Sequence, residues 1–106
     1  MKKKDYSQEQ IEMAALMKVL GHPARIAILE HLLKVKECIC GEIVDVIPLA
    51  QPTVSLHLKE LRTAGLIKGS VEGNTICYCI DEKGVEKLAA YFNKTKQELE
   101  MNTSCC

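Results

Sequence analysis

Cysteine is the residue type best suited to chemistry in this chain, which contains six of them and no tryptophan. A thiolate can ligate soft metal ions, undergo redox exchange or act as a nucleophile. The first lysines are followed by polar residues instead of an apolar signal core. We therefore expect a cytoplasmic, reducing compartment, where metal or redox chemistry is favoured over structural disulfides. The cysteines form three pairs: Cys38 and Cys40, Cys77 and Cys79, and Cys105 and Cys106.

The pair Cys38 and Cys40 is the first candidate site for a soft ion. Soft thiolates select arsenite, antimonite, cadmium, lead, copper(I) or zinc over hard ions. Trivalent arsenic is satisfied by up to three sulfurs, whereas zinc and cadmium generally take about four ligands, so an isolated Cys-x-Cys pair favours arsenic or antimony. Cys105 and Cys106 are candidates for a third thiolate. Cadmium or lead binding and thiol oxidation are the alternatives.

The pair Cys77 and Cys79 alternates with Ile76, Tyr78 and Ile80 in a segment of period two. Such alternation predicts a strand with the two cysteines on its outer face. We expect these thiols to be exposed in a reducing compartment, and a ligand role is the less favoured alternative.

Composition predicts a single folded domain spanning residues 1–106, with a short cysteine-containing tail. Hydrophobic residues make up 47% and charged residues 26% of the 106 positions, which is typical of a globular protein. No run of about 18 apolar residues is present to form a membrane helix. The 14 basic and 14 acidic side chains cancel, so any DNA binding must depend on a local cluster of positive charge.

The apolar spacing predicts four helices, a hairpin and a last helix. The first helix begins with a capping box at Ser7 and Gln10, and the second follows the break at 21–23 and runs to about Val35. The segment from Glu37 to Glu42 leads into a short third helix that stops before Pro48. The fourth begins near Ala50 with a buried stripe of Val54, Leu58 and Leu61 and ends at Gly65.

After this helix the period changes to two. Residues 66–71 and 75–80 predict two strands around a turn at Gly73 and Asn74, and Asp81 caps the last helix. The third and fourth helices form a helix-turn-helix. The element order is α-α-α-α-β-β-α, a mainly α (α+β) winged helix-turn-helix.

The chain resembles the ArsR/SmtB winged-helix repressors, which release DNA when they bind a metal, metalloid or other inducer. The likeness covers about residues 16–80. Four segments carry it: the junction from Leu20 to Arg25, the box from Glu37 to Glu42, the helix from Gln51 to Leu58 with its continuation to Leu66, and the wing ending at Tyr78-Cys79-Ile80.

This resemblance implies that Cys38 and Cys40 are the thiolate ligands of the family's arsenical and cadmium/lead sensors. Some arsenic sensors have a third cysteine at the position that Ile43 occupies here. The last helix has no histidine, so the family's zinc-type site at that helix is not expected. If Cys38 and Cys40 sit in a helix, about 200° separates them around its axis, and metal binding must distort that helix.

The fourth helix is the predicted recognition helix. Gln51 and Thr53 are candidates for base contacts, since the first turns of such a helix meet the base edges. Phosphate contacts are expected from Ser55, His57, Lys59 and Arg62, from Lys68 on the wing, and from the arm of Lys2, Lys3 and Lys4. For His57 the alternative is a packing contact of its helix.

Apolar stripes on the first and last helices predict a two-fold dimer. Its two recognition helices would lie about 34–36 Å apart on double-stranded operator DNA that carries an imperfect palindrome. We expect no permanent cofactor and no membrane partner.

A thiol oxidoreductase or metal-transfer protein is the alternative from another class. It is disfavoured because no Cys-x-x-Cys opens a βαβ unit and no general base is evident beside a thiol. The sequence therefore predicts a DNA-binding repressor, not an enzyme.

Overall fold

The computed structural model describes residues 5–35, 38–40 and 49–102, and in them four helices and three strands. The short helix predicted before Pro48 lies outside the described residues. The elements are α1 Gln8–Val19, α2 Pro23–Val35, β1 Ile39–Cys40, α3 Gln51–Thr63, β2 Ile67–Glu72, β3 Thr75–Ile80 and α4 Glu82–Met101.

Local capping sets the helix ends that the sequence predicts. The Ser7 hydroxyl accepts from the Gln10 backbone N–H and the Gln10 side chain accepts from the Ser7 N–H, which confirms the capping box. At the start of α4 the Asp81 carboxylate accepts from the Lys83 N–H. Both caps satisfy N–H groups that have no partner within the helix.

The core lies where α1, α2 and α3 meet the hairpin. Ile28 and Leu32 of α2 are almost fully buried, as are Leu61 of α3 and the following Leu66. The predicted inner stripe of α3 is confirmed, since Val54, Leu58 and Leu61 are all buried. Burial of this stripe fixes which side of α3 faces outward.

The sheet contains the predicted hairpin and one strand that the sequence analysis missed. β2 and β3 pair in antiparallel fashion around a turn in which Gly73 has φ +63°. The strand β1 adds to the other side of β3, which gives the order β1-β3-β2. Ile39 and Cys40 pair with Tyr78 and Cys77, so this part of the Cys-x-Cys segment lies in a strand and not in a helix.

The start of α4 lies against the turn that ends α3. A Cβ at Gly84 would collide with the carbonyl group of Gly65 and approach the Leu66 Cα to 3.1 Å. Glycine at position 84 thus permits the close approach of the two backbones. None of the helices in the described segments combines the length and apolar character that a membrane crossing needs.

Candidate DNA-binding face and cysteine site

The outward side of α3 is a polar surface. Its first turn carries no acidic side chain, and Pro52 occupies the start of the helix. Positive helix-end charge is therefore not offset there by a carboxylate. All but one of the α3 residues predicted for DNA contact are exposed: Gln51, Thr53, Ser55, Lys59 and Arg62. Pro52, Leu56 and Thr63 are exposed on the same helix.

The wing adds a further exposed cation. Lys68 lies on β2 directly opposite Cys79 of β3 and is exposed. The sequence analysis placed it in the DNA-binding set, and the structure leaves it accessible for that role.

His57 is the exception among the predicted phosphate contacts. Its side chain is only 5% exposed, and its Nδ1 accepts a hydrogen bond of 3.0 Å from Arg25 Nε. Arg25 also donates to the Val19 carbonyl oxygen at 3.1 Å, so one guanidinium joins α1, α2 and α3. We correct the expectation for His57: it positions the recognition helix against α2 instead of facing outward.

The charge state of His57 follows from these contacts. Burial, the neighbouring His22 and the Arg25 guanidinium lower the pKa of His57 below its usual 6.5. The His22 and His57 ring centroids are 4.5 Å apart. A neutral imidazole is also what the Arg25 hydrogen bond requires, because Nδ1 must be unprotonated to accept it.

Cys38 and Cys79 lie together at the junction of β1 and β3. They form a disulfide, and their Cα atoms are 4.4 Å apart. The sequence analysis grouped Cys38 with Cys40 and expected Cys79 to be an exposed thiol, so the pairing of Cys38 with Cys79 is a correction. The missed signal was that the second Cys-x-Cys repeats the spacing of the first.

Cys77 also departs from its predicted surroundings. Its side chain is 3% exposed, although the alternation pattern assigned it to an outer face, and Ile76 is 41% exposed instead. In the backbone register Cys77 pairs with Cys40. Tyr78 and Ile80, on the opposite face of β3, pack against the core, so side chains on both faces of this part of the strand are at least partly covered.

An open cleft of about 440 Å³ adjoins the disulfide. It gives solvent access to the β1–β3 junction. Its lining residues are Leu32, Leu33, Cys38, Lys68, Cys79, Ile80 and Glu82.

The described side chains alone bring together no group of three or more Cys, His, Asp or Glu residues that could hold a metal ion. Cys38 and Cys79 are bonded to each other in this oxidised form, and Cys77 is also disulfide-bonded, so these three sulfurs are not available as ligands. The predicted additional ligands Cys105 and Cys106 lie outside the described residues, as do Lys2, Lys3 and Lys4.

Exposed apolar side chains mark the outer surface of α4. Phe92 is 54%, Leu99 69% and Met101 82% exposed. Lys94 of α4 and Glu9 of α1 form an exposed ion pair at 3.9 Å, so the two helices predicted to carry the dimer interface are neighbours. The dimer itself stays a prediction.

The arrangement of α3 and the adjoining wing is that of a winged-helix DNA-binding protein. A model of the family described as "Bacterial regulatory protein, arsR family" matches residues 22–68. The repressor SmtB of Mycobacterium tuberculosis is 40% identical over 63 residues, which are 59% of this chain and 46% of SmtB. The chain thus spans less than half the length of SmtB.

Two further similarities extend beyond the helix-turn-helix. The "Cadmium resistance transcriptional regulatory protein CadC homolog" of Staphylococcus aureus is 31% identical over 88 residues, covering 81% of this chain and 72% of that protein. An ArsR-like transcriptional regulator from a Rhodococcus species has the same fold, with a TM-score of 0.76 at 19% identity over 92% of each chain. The chain belongs to the arsR family, whose members are transcriptional regulators and not enzymes.

Proposed function

We propose that this chain is a transcriptional repressor that releases operator DNA when a soft metal or metalloid binds the thiolates of Cys38 and Cys40. The observation that carries the proposal is the connection of β1 to the wing. Cys38 lies against Cys79 on β3, and β3 pairs along its length with β2. A change at Cys38 therefore acts directly on the hairpin that carries Lys68.

The DNA-binding half of the proposal rests on exposure and charge. Gln51 and Thr53 lie in the first turn of α3, where they read base edges in the major groove. Ser55, Lys59 and Arg62 on the same helix and Lys68 on the wing contact phosphates. As a two-fold dimer, the protein presents two such helices about 34–36 Å apart to an imperfect palindrome.

The effector class follows from the chemistry of sulfur. Thiolates prefer trivalent arsenic and antimony and divalent cadmium and lead over hard cations. The similarity to a cadmium-resistance regulator supports this class. Release of DNA requires the effector to favour the DNA-free form by a coupling free energy of about 1–3 kcal/mol, equivalent to a roughly 5–150-fold loss of affinity.

Thiol oxidation is a second candidate effector, and the Cys38–Cys79 disulfide is the observation that favours it. In this version the disulfide itself changes the position of the wing relative to α3. The two candidates differ in one respect: a metal acts on the reduced protein, whereas oxidation requires an oxidant and no metal.

The test measures binding of the reduced protein to a labelled duplex from the DNA upstream of its own gene, by fluorescence anisotropy without oxygen. We expect sequence-specific binding that weakens by roughly 5–150-fold on addition of arsenite or Cd(II). Release that occurs only with an oxidant supports the second candidate. Absence of specific binding contradicts the repressor assignment.

Two matched variants identify the responsible thiols. The Cys38→Ser, Cys40→Ser double variant should bind DNA and fail to release it on addition of either effector. The Cys105→Ser, Cys106→Ser variant changes the same number of thiols and tests whether the tail supplies a ligand. Normal release from the Cys38→Ser, Cys40→Ser variant would contradict the proposed site.

A further inference from the structure

We propose that the reduced protein holds a soft divalent cation of the cadmium type in a four-thiolate site made by Cys38, Cys40, Cys77 and Cys79. This inference deepens the proposed function and rests on it, because it makes the wing strand part of the effector site. The ligands come from two adjacent strands of one subunit. Neither the tail cysteines nor a second subunit is needed.

Strand pairing places the four positions next to each other. Cys40 pairs with Cys77, and Ile39 pairs with Tyr78 in the same antiparallel register. Continuing this register pairs position 38 with position 79, and the 4.4 Å between the Cα atoms of Cys38 and Cys79 agrees with that. Two cysteines on one strand are thus directly opposite two cysteines on its neighbour.

Strand geometry places the four positions on one face of the sheet. Residues two apart along a strand share a face, and directly opposite residues in an antiparallel pair also share it. The positions therefore form a rectangle of about 6.7 Å along the strands by about 4.5–5.5 Å across them. Its centre lies roughly 4 Å from each Cα, which is within the reach of a cysteine arm plus a metal–sulfur bond of about 2.3 Å.

The surroundings suit a charged thiolate centre with access from one side. Cys77 is buried, whereas Cys38 and Cys79 border the cleft and give an ion a route of entry. Lys68 pairs with Cys79 across the hairpin, so it belongs to the same face, and it also lines the cleft. Its ammonium favours thiolates nearby, while the Glu82 carboxylate in the same cleft opposes them.

The number of sulfurs selects the ion. Four thiolates complete the shell of a tetrahedral soft divalent cation, whereas trivalent arsenic uses up to three and leaves one unused. Binding begins with all four cysteines as thiols. A dithiol reductant converts the Cys38–Cys79 disulfide, and the disulfide that Cys77 also forms, to thiols, and one reductant molecule is oxidised to a disulfide for each bond opened. Cd(II) then displaces four thiol protons to give a centre of net charge −2.

The experiment uses Cd(II) alone as the probe, with the fully reduced full-length chain under anaerobic conditions. Cadmium-113 NMR reports how many sulfurs surround the ion, and competition with a chromophoric chelator gives its affinity. We expect one Cd(II) per chain in an all-sulfur environment. In the Cys79→Ser and Cys77→Ser variants one sulfur should disappear from the Cd(II) environment. The affinity for Cd(II) should fall by more than about 10–100-fold, which is the loss expected when a residue that contacts a ligand, and not the metal itself, is changed.

Controls separate ligation from folding. Because Cys77 is buried, Cys77→Ala is measured beside Cys77→Ser, and circular dichroism checks that each variant is folded. The Cys105→Ser, Cys106→Ser variant should keep the wild-type cadmium spectrum and affinity. Wild-type spectra and affinity in both the Cys77 and Cys79 variants would overturn the inference, as would a change in the tail variant.

The outcomes also separate this inference from the proposed function. In one outcome, release of DNA by Cd(II) requires Cys38 and Cys40 but is unaffected by Cys77→Ser and Cys79→Ser. This result overturns the four-thiolate site and leaves the proposed repressor function standing. Cd(II) bound by all four sulfurs with no change in DNA affinity supports the site and contradicts its proposed role. Arsenite binding to only three of the four cysteines with higher affinity than Cd(II) would overturn the assignment to a divalent cation.

Discussion

The helix α3 and the strand β1 are held in place by different means. α3 runs for 13 residues and buries Val54, Leu58 and Leu61 against the core. β1 has two residues, pairs only with β3 among the described strands, and is tied to it by the Cys38–Cys79 bond. Apolar burial does not depend on redox state, whereas the disulfide that ties β1 to β3 does.

This difference suits α3 to contact DNA and β1 to change position in response to an effector. A helix that contacts bases must keep one orientation, and burial of three large side chains provides that. A strand that responds to an effector must have two states of similar free energy, and a short strand held by thiol chemistry meets that need. The predictions below test the contrast, beginning with the largest expected effect.

Truncation of the α3 core should have the largest effect. Leu61 is fully buried, so Leu61→Ala removes apolar contacts and leaves a cavity, at a cost of about 2–5 kcal/mol in the free energy of unfolding. Urea denaturation measures it. Leu56→Ala is the matched control, because Leu56 is 53% exposed on the same helix and its loss should stay within about 0.5 kcal/mol. Equal effects would contradict the assigned orientation of α3.

Reduction of the Cys38–Cys79 disulfide should have the next largest effect. The bond joins residues separated by 41 positions, and opening a loop of that size lowers the free energy of unfolding by about 2–4 kcal/mol. Denaturation with and without reductant measures the change. A Cys38→Ser, Cys79→Ser variant lacks the bond in both conditions and should respond less to reductant. The backbone amides of α3 should still exchange hydrogen slowly after reduction. Faster exchange in α3 would mean that α3 depends on the attachment of β1.

The contact between α4 and the end of α3 offers a third test. Gly84→Ala places a methyl group against the Gly65 carbonyl, and we expect the overpacking to lower the free energy of unfolding by about 1–3 kcal/mol. Thermal denaturation measures it. Glu86→Ala, an exposed change in the same helix, serves as the control. If Gly84→Ala stabilises the protein instead, the close packing of the two backbones is wrong.

The smallest expected effect is the pH dependence contributed by His57. Its pKa is lowered in the folded protein, so the unfolded chain binds the proton more readily. The contribution to stability is therefore present above about pH 6.5 and is lost as the pH falls below that value toward the folded pKa. Denaturation at about pH 7.5 and 5.5 should show a larger drop for the wild type than for His57→Gln. An equal loss of stability in the wild type and the His57→Gln variant would mean that the pKa of His57 is not lowered in the folded protein.

Local signals were sufficient to predict much of this fold. The capping residues Ser7 and Asp81, the stripe of α3 and the turn at Gly73 each depend on neighbours within a few positions, and the structure confirms them. The same holds for the exposure of Gln51 and Thr53. Their contacts with DNA are still predictions.

Contacts between distant segments were not predictable in the same way. β1 is too short to show a period, and it exists because Ile39 meets Tyr78 far along the chain. His57 lies at the flank of its helix, and only the position of Arg25 on α2 decides that it faces inward. Alternation correctly assigned Cys77 and Cys79 to one face, but it could not show that this face of β3 is covered.

The order β1-β3-β2 has a consequence for the behaviour of the protein in concentrated solution. A bare edge of a six-residue strand with residues such as Ile76, Tyr78 and Ile80 is a template onto which another chain can add a strand. Among the described residues, β1 covers the middle of that edge, opposite Cys77 and Tyr78. Two paired residues thus protect the wing against self-association, and conditions that detach β1 should lower the solubility of the protein.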